Sequence, residues 1–135
     1  MEYRGPGNGE ECRQSLVRRP HVNIAVANVT PVATAHNSGT KKVLTRGFDQ
    51  PVIIKQVAVG TLLPGEYVEP HSHADLDEYY FVLSGNGTMR VDGNNYELAA
   101  GDFVIVTAGS EHELRSGDKT LEFYYQSFEL VSGKA

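Results

Sequence analysis

Residues 65–85, GEYVEPHSHADLDEYYFVLSG, form the stretch around which the rest of the chain is organised. His71 and His73 stand one residue apart, and Glu78 follows five positions after the second. In a β-strand, residues i and i+2 share a face, so the two imidazoles can approach one ion together. ADLD (74–77) is long enough to turn the chain and start a neighbouring strand, and EYYFVL (78–83) has the aromatic and β-branched content of one. A fourth donor stands at His112, within GDFVIVTAGSEHEL (101–114). Three imidazoles and a carboxylate suit one divalent transition metal, Mn, Fe, Ni or Zn. Ca²⁺ and Mg²⁺ prefer all-oxygen shells.

The chain on either side is rich in strand signals. From Val52 onward short apolar runs recur at the spacing of a β-sandwich or barrel. The predicted strands are 52–62, 67–73, 78–84, 87–91, 95–98, 103–106, 111–115 and 121–130. Before them, 22–32 alternates well enough for one N-terminal strand and 42–45 for a short second one. Asp92-Gly93-Asn94-Asn95 is a hairpin turn, because Gly and Asn tolerate positive φ. No useful 3.6-residue periodicity appears, which predicts low helix content. Residues 1–15 are polar and glycine-rich, the composition of a loose arm.

Composition narrows the function classes. At 135 residues the chain has the size of one domain with a real core. Seventeen acidic against twelve basic residues give a net charge of −5, which argues against a nucleic-acid partner. A helix-turn-helix signal is absent as well. No apolar run is long enough for a membrane span. Arg18-Arg19 before IAVANV (24–29), with Ala33-Thr34-Ala35 after it, mimics an export signal, but Pro20, His21, Asn23, Asn28 and Thr30 interrupt it. A strand is the better reading. The lone Cys12 permits no internal disulfide, and a cytoplasmic protein is expected.

Gly65, His71, His73, Glu78 and Gly85 fall at spacings that resemble the first cupin motif, and Gly101, Gly109 and His112 resemble the second. Thr107 stands where the family usually has proline, and Ser116 where it usually has asparagine. Neither position is a ligand in the family, but Thr does not pre-set φ as Pro does, which leaves the turn before His112 less rigid. The resemblance spans roughly residues 50 to 130. It implies an all-β fold, the cupin double-stranded β-helix or antiparallel jelly-roll barrel, with an N-terminal arm or strand. The arm is expected over 1–20 and the small single-domain cupin barrel over 21–135.

Parity within the strand beginning at Glu78 sorts the walls. With Glu78 inward, Tyr80 and Val82 follow it, while Tyr79, Phe81 and Leu83 point out. An outward row that apolar needs cover, from the N-terminal strand, a second subunit or both, and a homodimer is the simplest answer. Which face of 121–130 lines the pocket stays open. Tyr80, on the face of Glu78, is the candidate catalytic group, since a phenol beside a cation can serve in proton transfer. His21, His36, Asp75, Asp77, Glu111 and Glu113 read as loop or solvated surface residues. Lys41, Lys42 and Arg46 read as surface charges, able to meet an anionic substrate should their loop cap the barrel.

Two function classes follow, because fold alone does not choose between them. One is a metalloenzyme: four protein ligands leave two positions of an octahedral ion for a small oxygenated substrate. Acid/base chemistry of isomerase, epimerase or lyase type is the first reading. An Fe-dependent dioxygenase acting on a catechol or diketone is the alternative. The other class is a non-catalytic barrel that binds a small molecule.

Overall fold

A computed structural model describes residues 21–36 and 38–132, so the arm expected over 1–20 lies outside the described residues. Eleven strands follow in chain order: β1 (Val22–Ala25), β2 (Val32–Ala33), β3 (Thr40–Lys41), β4 (Val52–Leu62), β5 (Tyr67–His71), β6 (Leu76–Ser84), β7 (Asn86–Val91), β8 (Asn94–Ala99), β9 (Asp102–Val106), β10 (His112–Ser116) and β11 (Leu121–Leu130). Five form a sheet in the order β1-β9-β6-β11-β4, and four form a second sheet in the order β5-β10-β7-β8. Every pairing is antiparallel. The two sheets enclose one core, in which Val82, Met89, Val91, Val104, Val106 and Leu121 are almost wholly buried. This is the jelly-roll β architecture that the family resemblance implied, within the sandwich-or-barrel class given by the strand spacing. Each such side chain contributes about 1.5–3 kcal/mol through removal from water.

Inward and outward faces alternate as parity requires. Tyr80 and Val82 point into the core with Glu78. The face of β11 left open by sequence is decided by register: Phe123 lies opposite Val82, Tyr125 opposite Tyr80 and Ser127 opposite Glu78. Leu121, Phe123, Tyr125 and Ser127 therefore line the interior side. Phe128, on the other face, packs with Tyr79 and with Phe48 from the segment before β4. Part of the outward row is thus covered from within the chain. Leu83, Tyr124, Val57, Val59 and Ile54 remain exposed.

The expected strands needed three adjustments. The 22–32 strand is two pieces, because Ala25 pairs with Asp102, the first residue of β9, and no ladder continues beyond it. Val26 N–H takes the Gly101 carbonyl at 3.0 Å, and a 3-10 turn over Val26–Asn28 redirects the chain. The short strand expected at 42–45 is absent. β2 instead pairs Val32–Ala33 with Thr40–Lys41 across a turn closed by Thr34 Oγ1 donating to the Ser38 carbonyl at 2.6 Å. Finally, β5 stops at His71, not His73, since its partner β10 begins at His112, directly opposite His71.

Two glycines carry conformational demands that no other residue meets. Gly85 has φ +86°, and a Cβ there would lie 1.8 Å from the Thr120 carbonyl oxygen. Gly109, at φ +87°, is the third residue of the turn Thr107–Ser110, where a type II turn requires the left-handed region. Asp92 and Gly93, at φ 49° and 86°, form the two-residue hairpin between β7 and β8, as their composition predicts.

Candidate metal centre

The four sequence-predicted ligands meet at one end of the barrel. Their ligand atoms all lie within 4.8 Å of one another. Glu78 enters on β6 and His112 opens β10, whereas His71 ends β5 and His73 lies in the loop beyond it. The route for His73 therefore differs from the expected strand pair: it reaches the cluster because its own carbonyl is fixed by Gly109 N–H at 2.7 Å. The rings of His71 and His112 pack with centroids 4.2 Å apart, and those of His71 and His73 at 5.1 Å.

Backbone carbonyls set two of the three imidazoles. A carbonyl can only accept, so the contacts of His71 Nδ1 with Glu69 O at 2.8 Å and of His112 Nδ1 with Ser110 O at 3.1 Å require a proton on each Nδ1. With Nδ1 so engaged, Nε2 faces the cluster, the usual orientation of a ligating histidine. His112 Nε2 lies 3.0 Å from Glu78 Oε1, and His73 Nε2 lies 3.9 Å from Glu78 Oε2.

Glu78 is the most heavily engaged member. Its Oε1 also accepts the Tyr80 hydroxyl at 2.8 Å, and Ser127 Oγ approaches Oε2 at 3.4 Å. Burial pushes its carboxyl upward, but hydrogen bonds from His112 and Tyr80, with the charges of His112 and His73, outweigh this and hold it below the usual carboxylate range. Tyr80 moves the other way: burial first, then the neighbouring Glu78 charge, pushes its phenol well above the ordinary value. The Tyr80 ring stacks on Tyr125 at 5.6 Å between centroids.

The donor set fits a transition metal and not a hard cation: three imidazole nitrogens and one carboxylate, with His71 and His112 held in orientation by backbone carbonyls. Glu78 and His112 are buried, while His71 and His73 are half-buried, so the cluster opens on the histidine side. Ser127 and Tyr125 are neighbours of the site that sequence reading did not single out. Only the register of β11 against β6 identifies them.

Other expected surface residues are more engaged than composition suggested. Asp77 is 1% exposed, and its Oδ1 accepts Ala108 N–H at 2.9 Å. Glu113 is buried on the outer side of its sheet, with an ion pair to Arg115 at 2.8 Å. His21 is half-buried and hydrogen-bonded to the Tyr96 hydroxyl. Lys42 donates to the Val26 carbonyl at 3.1 Å. His36 stays exposed in the turn between β2 and β3, outside the cluster. Ser116, in place of the family's usual asparagine, donates through Oγ to the carbonyls of Leu63 and Glu66, tying the end of β10 to the Pro64-Gly65 turn.

The sequence profile of the cupin domain family matches residues 58–126, half of the chain, and the protein belongs to that family. Dimethylsulfoniopropionate lyase DddW of Ruegeria pomeroyi is 33% identical over 72 residues, 50% of this chain and 47% of that protein. An oxalate-binding protein of Thermotoga maritima is 33% identical over 63 residues, 46% of this chain and 52% of its own length. The chain thus spans about half the length of the curated relatives it matches. The crystal structure of a predicted oxalate decarboxylase from Thermotoga maritima superposes with a TM-score of 0.54 at 29% identity, covering 58% of this chain and 68% of that one. Among the described residues no helix is long and apolar enough to cross a membrane.

Proposed function

We propose that this protein is a metal-dependent cupin enzyme carrying out acid/base chemistry, of lyase or isomerase type, on a small oxygenated substrate. The observation that carries the reading is the convergence of four ligand atoms within 4.8 Å, with two ligands buried and two on the open side. His71, His73, Glu78 and His112 would hold one divalent ion. Such an ion supplies Lewis acidity toward a substrate oxygen. The names of two relatives support a carboxylate substrate in this reading, since oxalate and dimethylsulfoniopropionate are both small carboxylates. A carboxylate is thus the first class to test.

The chain's own residues divide the remaining work. His71 and His112 are oriented through Nδ1, which fixes where Nε2 points. Tyr80 holds its hydroxyl at 2.8 Å from Glu78 on the interior face, and we assign it the proton-transfer role. Tyr125 and Phe123 pack against the ring of the buried Tyr80, at 5.6 and 5.8 Å between centroids. Metal-stripped protein reloaded separately with Mn²⁺, Fe²⁺, Ni²⁺ and Zn²⁺ and offered small carboxylates tests the reading. Turnover without oxygen uptake is expected. Turnover coupled to oxygen uptake would move the protein to dioxygenase chemistry, and tight ligand binding without turnover would make it a binding barrel.

A homodimer belongs to the same reading. Val59, Tyr124 and Phe81 form one cross-strand row on the outer face of the five-stranded sheet. Val57, Ile54 and Leu83 extend it, each 42% exposed or more. A contiguous apolar surface of this kind favours a protein partner over water. Sedimentation at micromolar concentration is expected to return twice the chain mass, and a monomer would refute it. The sequence-based reading of a cytoplasmic protein stands beside this proposal.

A further inference from the structure

The turn that presents His112 replaces the family's usual proline with Thr107, so its rigidity has another source. Three backbone groups of the segment 107–111 are pinned from outside. Ala108 N–H donates to Asp77 Oδ1 at 2.9 Å, Gly109 N–H donates to the His73 carbonyl at 2.7 Å, and Glu111 N–H donates to Asp92 Oδ1 at 3.0 Å. Within the turn, Ser110 N–H closes on the Thr107 carbonyl at 3.1 Å, and the Thr107 and Ser110 hydroxyls lie 3.3 Å apart. The carbonyl of that same Ser110 accepts from His112 Nδ1. Asp77 therefore sits at the start of a continuous chain of contacts: carboxylate, turn, Ser110 carbonyl, imidazole.

We propose that Asp77 is a positioning residue for the metal centre, and that its carboxylate, clasping the amide of Ala108, fixes the turn whose Ser110 carbonyl aims His112. The inference rests on the metal-centre reading above. Asp77 and Glu78 are consecutive on β6 and point to opposite faces, so one strand delivers a ligand inward and a clasp for a second ligand outward. This couples two ligands that are 34 residues apart in sequence. The same turn also holds His73 through its carbonyl, so three of the four ligands share this support. An acceptor at Asp77, more than its charge, is what the turn needs, since backbone N–H groups buried without a partner are costly.

The test uses Co²⁺ as probe, with its affinity and visible absorption spectrum as readouts, together with the His112 Nδ1–H hydrogen bond in the metal-free protein, read from the exchange of that ring proton by NMR. Loss of an outer partner of a ligating histidine typically weakens metal binding about 10–100-fold, and Asp77→Ala is expected to do so while shifting the absorption bands and exposing the His112 Nδ1 proton to exchange. Asp77→Asn keeps an acceptor oxygen and should restore both affinity and spectrum. An Asp77→Ala protein that melts lower but binds Co²⁺ with wild-type affinity and spectrum would overturn the proposal, because a purely structural carboxylate gives that result. If Asp77→Ala does not fold, Asp77→Asn and Gly109→Ala decide. Normal binding by the first and weakened binding by the second are required, and the reverse of either refutes the clasp. A wild-type protein that takes up no Co²⁺ would sink the metal centre itself. The His112 Nδ1 proton in the metal-free variants would then judge the clasp alone: a hydrogen-bonded, slowly exchanging Nδ1–H in wild type that is lost in Asp77→Ala supports it, and an unchanged Nδ1–H overturns it.

Discussion

The two halves of the ligand set are held in different ways. The His112 side chain is 2% exposed and that of Glu78 10%, and each has two or more hydrogen-bond partners in the protein. The His73 side chain is 34% exposed, and its nearest charged neighbour, Glu78, is 3.9 Å away. One half is a rigid wall continuous with the core, and the other is a rim on the solvent side. The cluster is open on the rim, where His71 and His73 are half-buried, while Tyr80, the proposed proton-transfer group, stands in the buried wall.

Truncating the wall is expected to have the largest effect. His112→Ala removes a proposed ligand and leaves the buried Glu78 carboxylate without its 3.0 Å partner. Breaking one side of a buried pair costs about 3–5 kcal/mol, so chelated protein should lose roughly that much stability in denaturant melts. Next is Tyr80→Phe, which keeps the ring stacked on Tyr125 and deletes only the hydroxyl. Loss of a general acid or base lowers rate about 10² to 10⁴-fold, and metal content should be unchanged. Turnover within a few-fold of wild type would reduce Tyr80 to a pocket wall. The smallest change in stability is expected for His73→Ala, because exposed ion pairs contribute about 0–1 kcal/mol to stability. Its metal affinity should fall while its metal-free melt stays near wild type. Equal destabilisation by His73→Ala and His112→Ala would erase the distinction between wall and rim.

Much of this was legible in the chain itself. The HxH pair, Glu78 and His112 could be picked out because ligand chemistry restricts residue type, and the glycine frame because Gly85 and Gly109 occupy backbone that other residues resist. Strand parity placed Tyr80 and Val82 correctly, since a period of two leaves little choice once Glu78 points inward. What sequence could not supply was partnership across strands. The inner face of β11 needed its register against β6, and the end of β5 at His71 needed the start of β10. The burial of Asp77 and Glu113 depends on Ala108 and Arg115, which are remote or unremarkable in sequence. The break after Ala25 came from the limited length of β9, which local alternation in 22–32 cannot report.

The central claim, one divalent ion held by these four residues, is tested most directly by metal stoichiometry. Protein from native-like expression, purified without oxygen, should carry close to one transition-metal ion per chain by mass spectrometry. The double variant His71→Ala with His73→Ala should carry essentially none, and His36→Ala, altered outside the cluster, should match wild type. Full occupancy in the double variant would contradict the assignment of the centre.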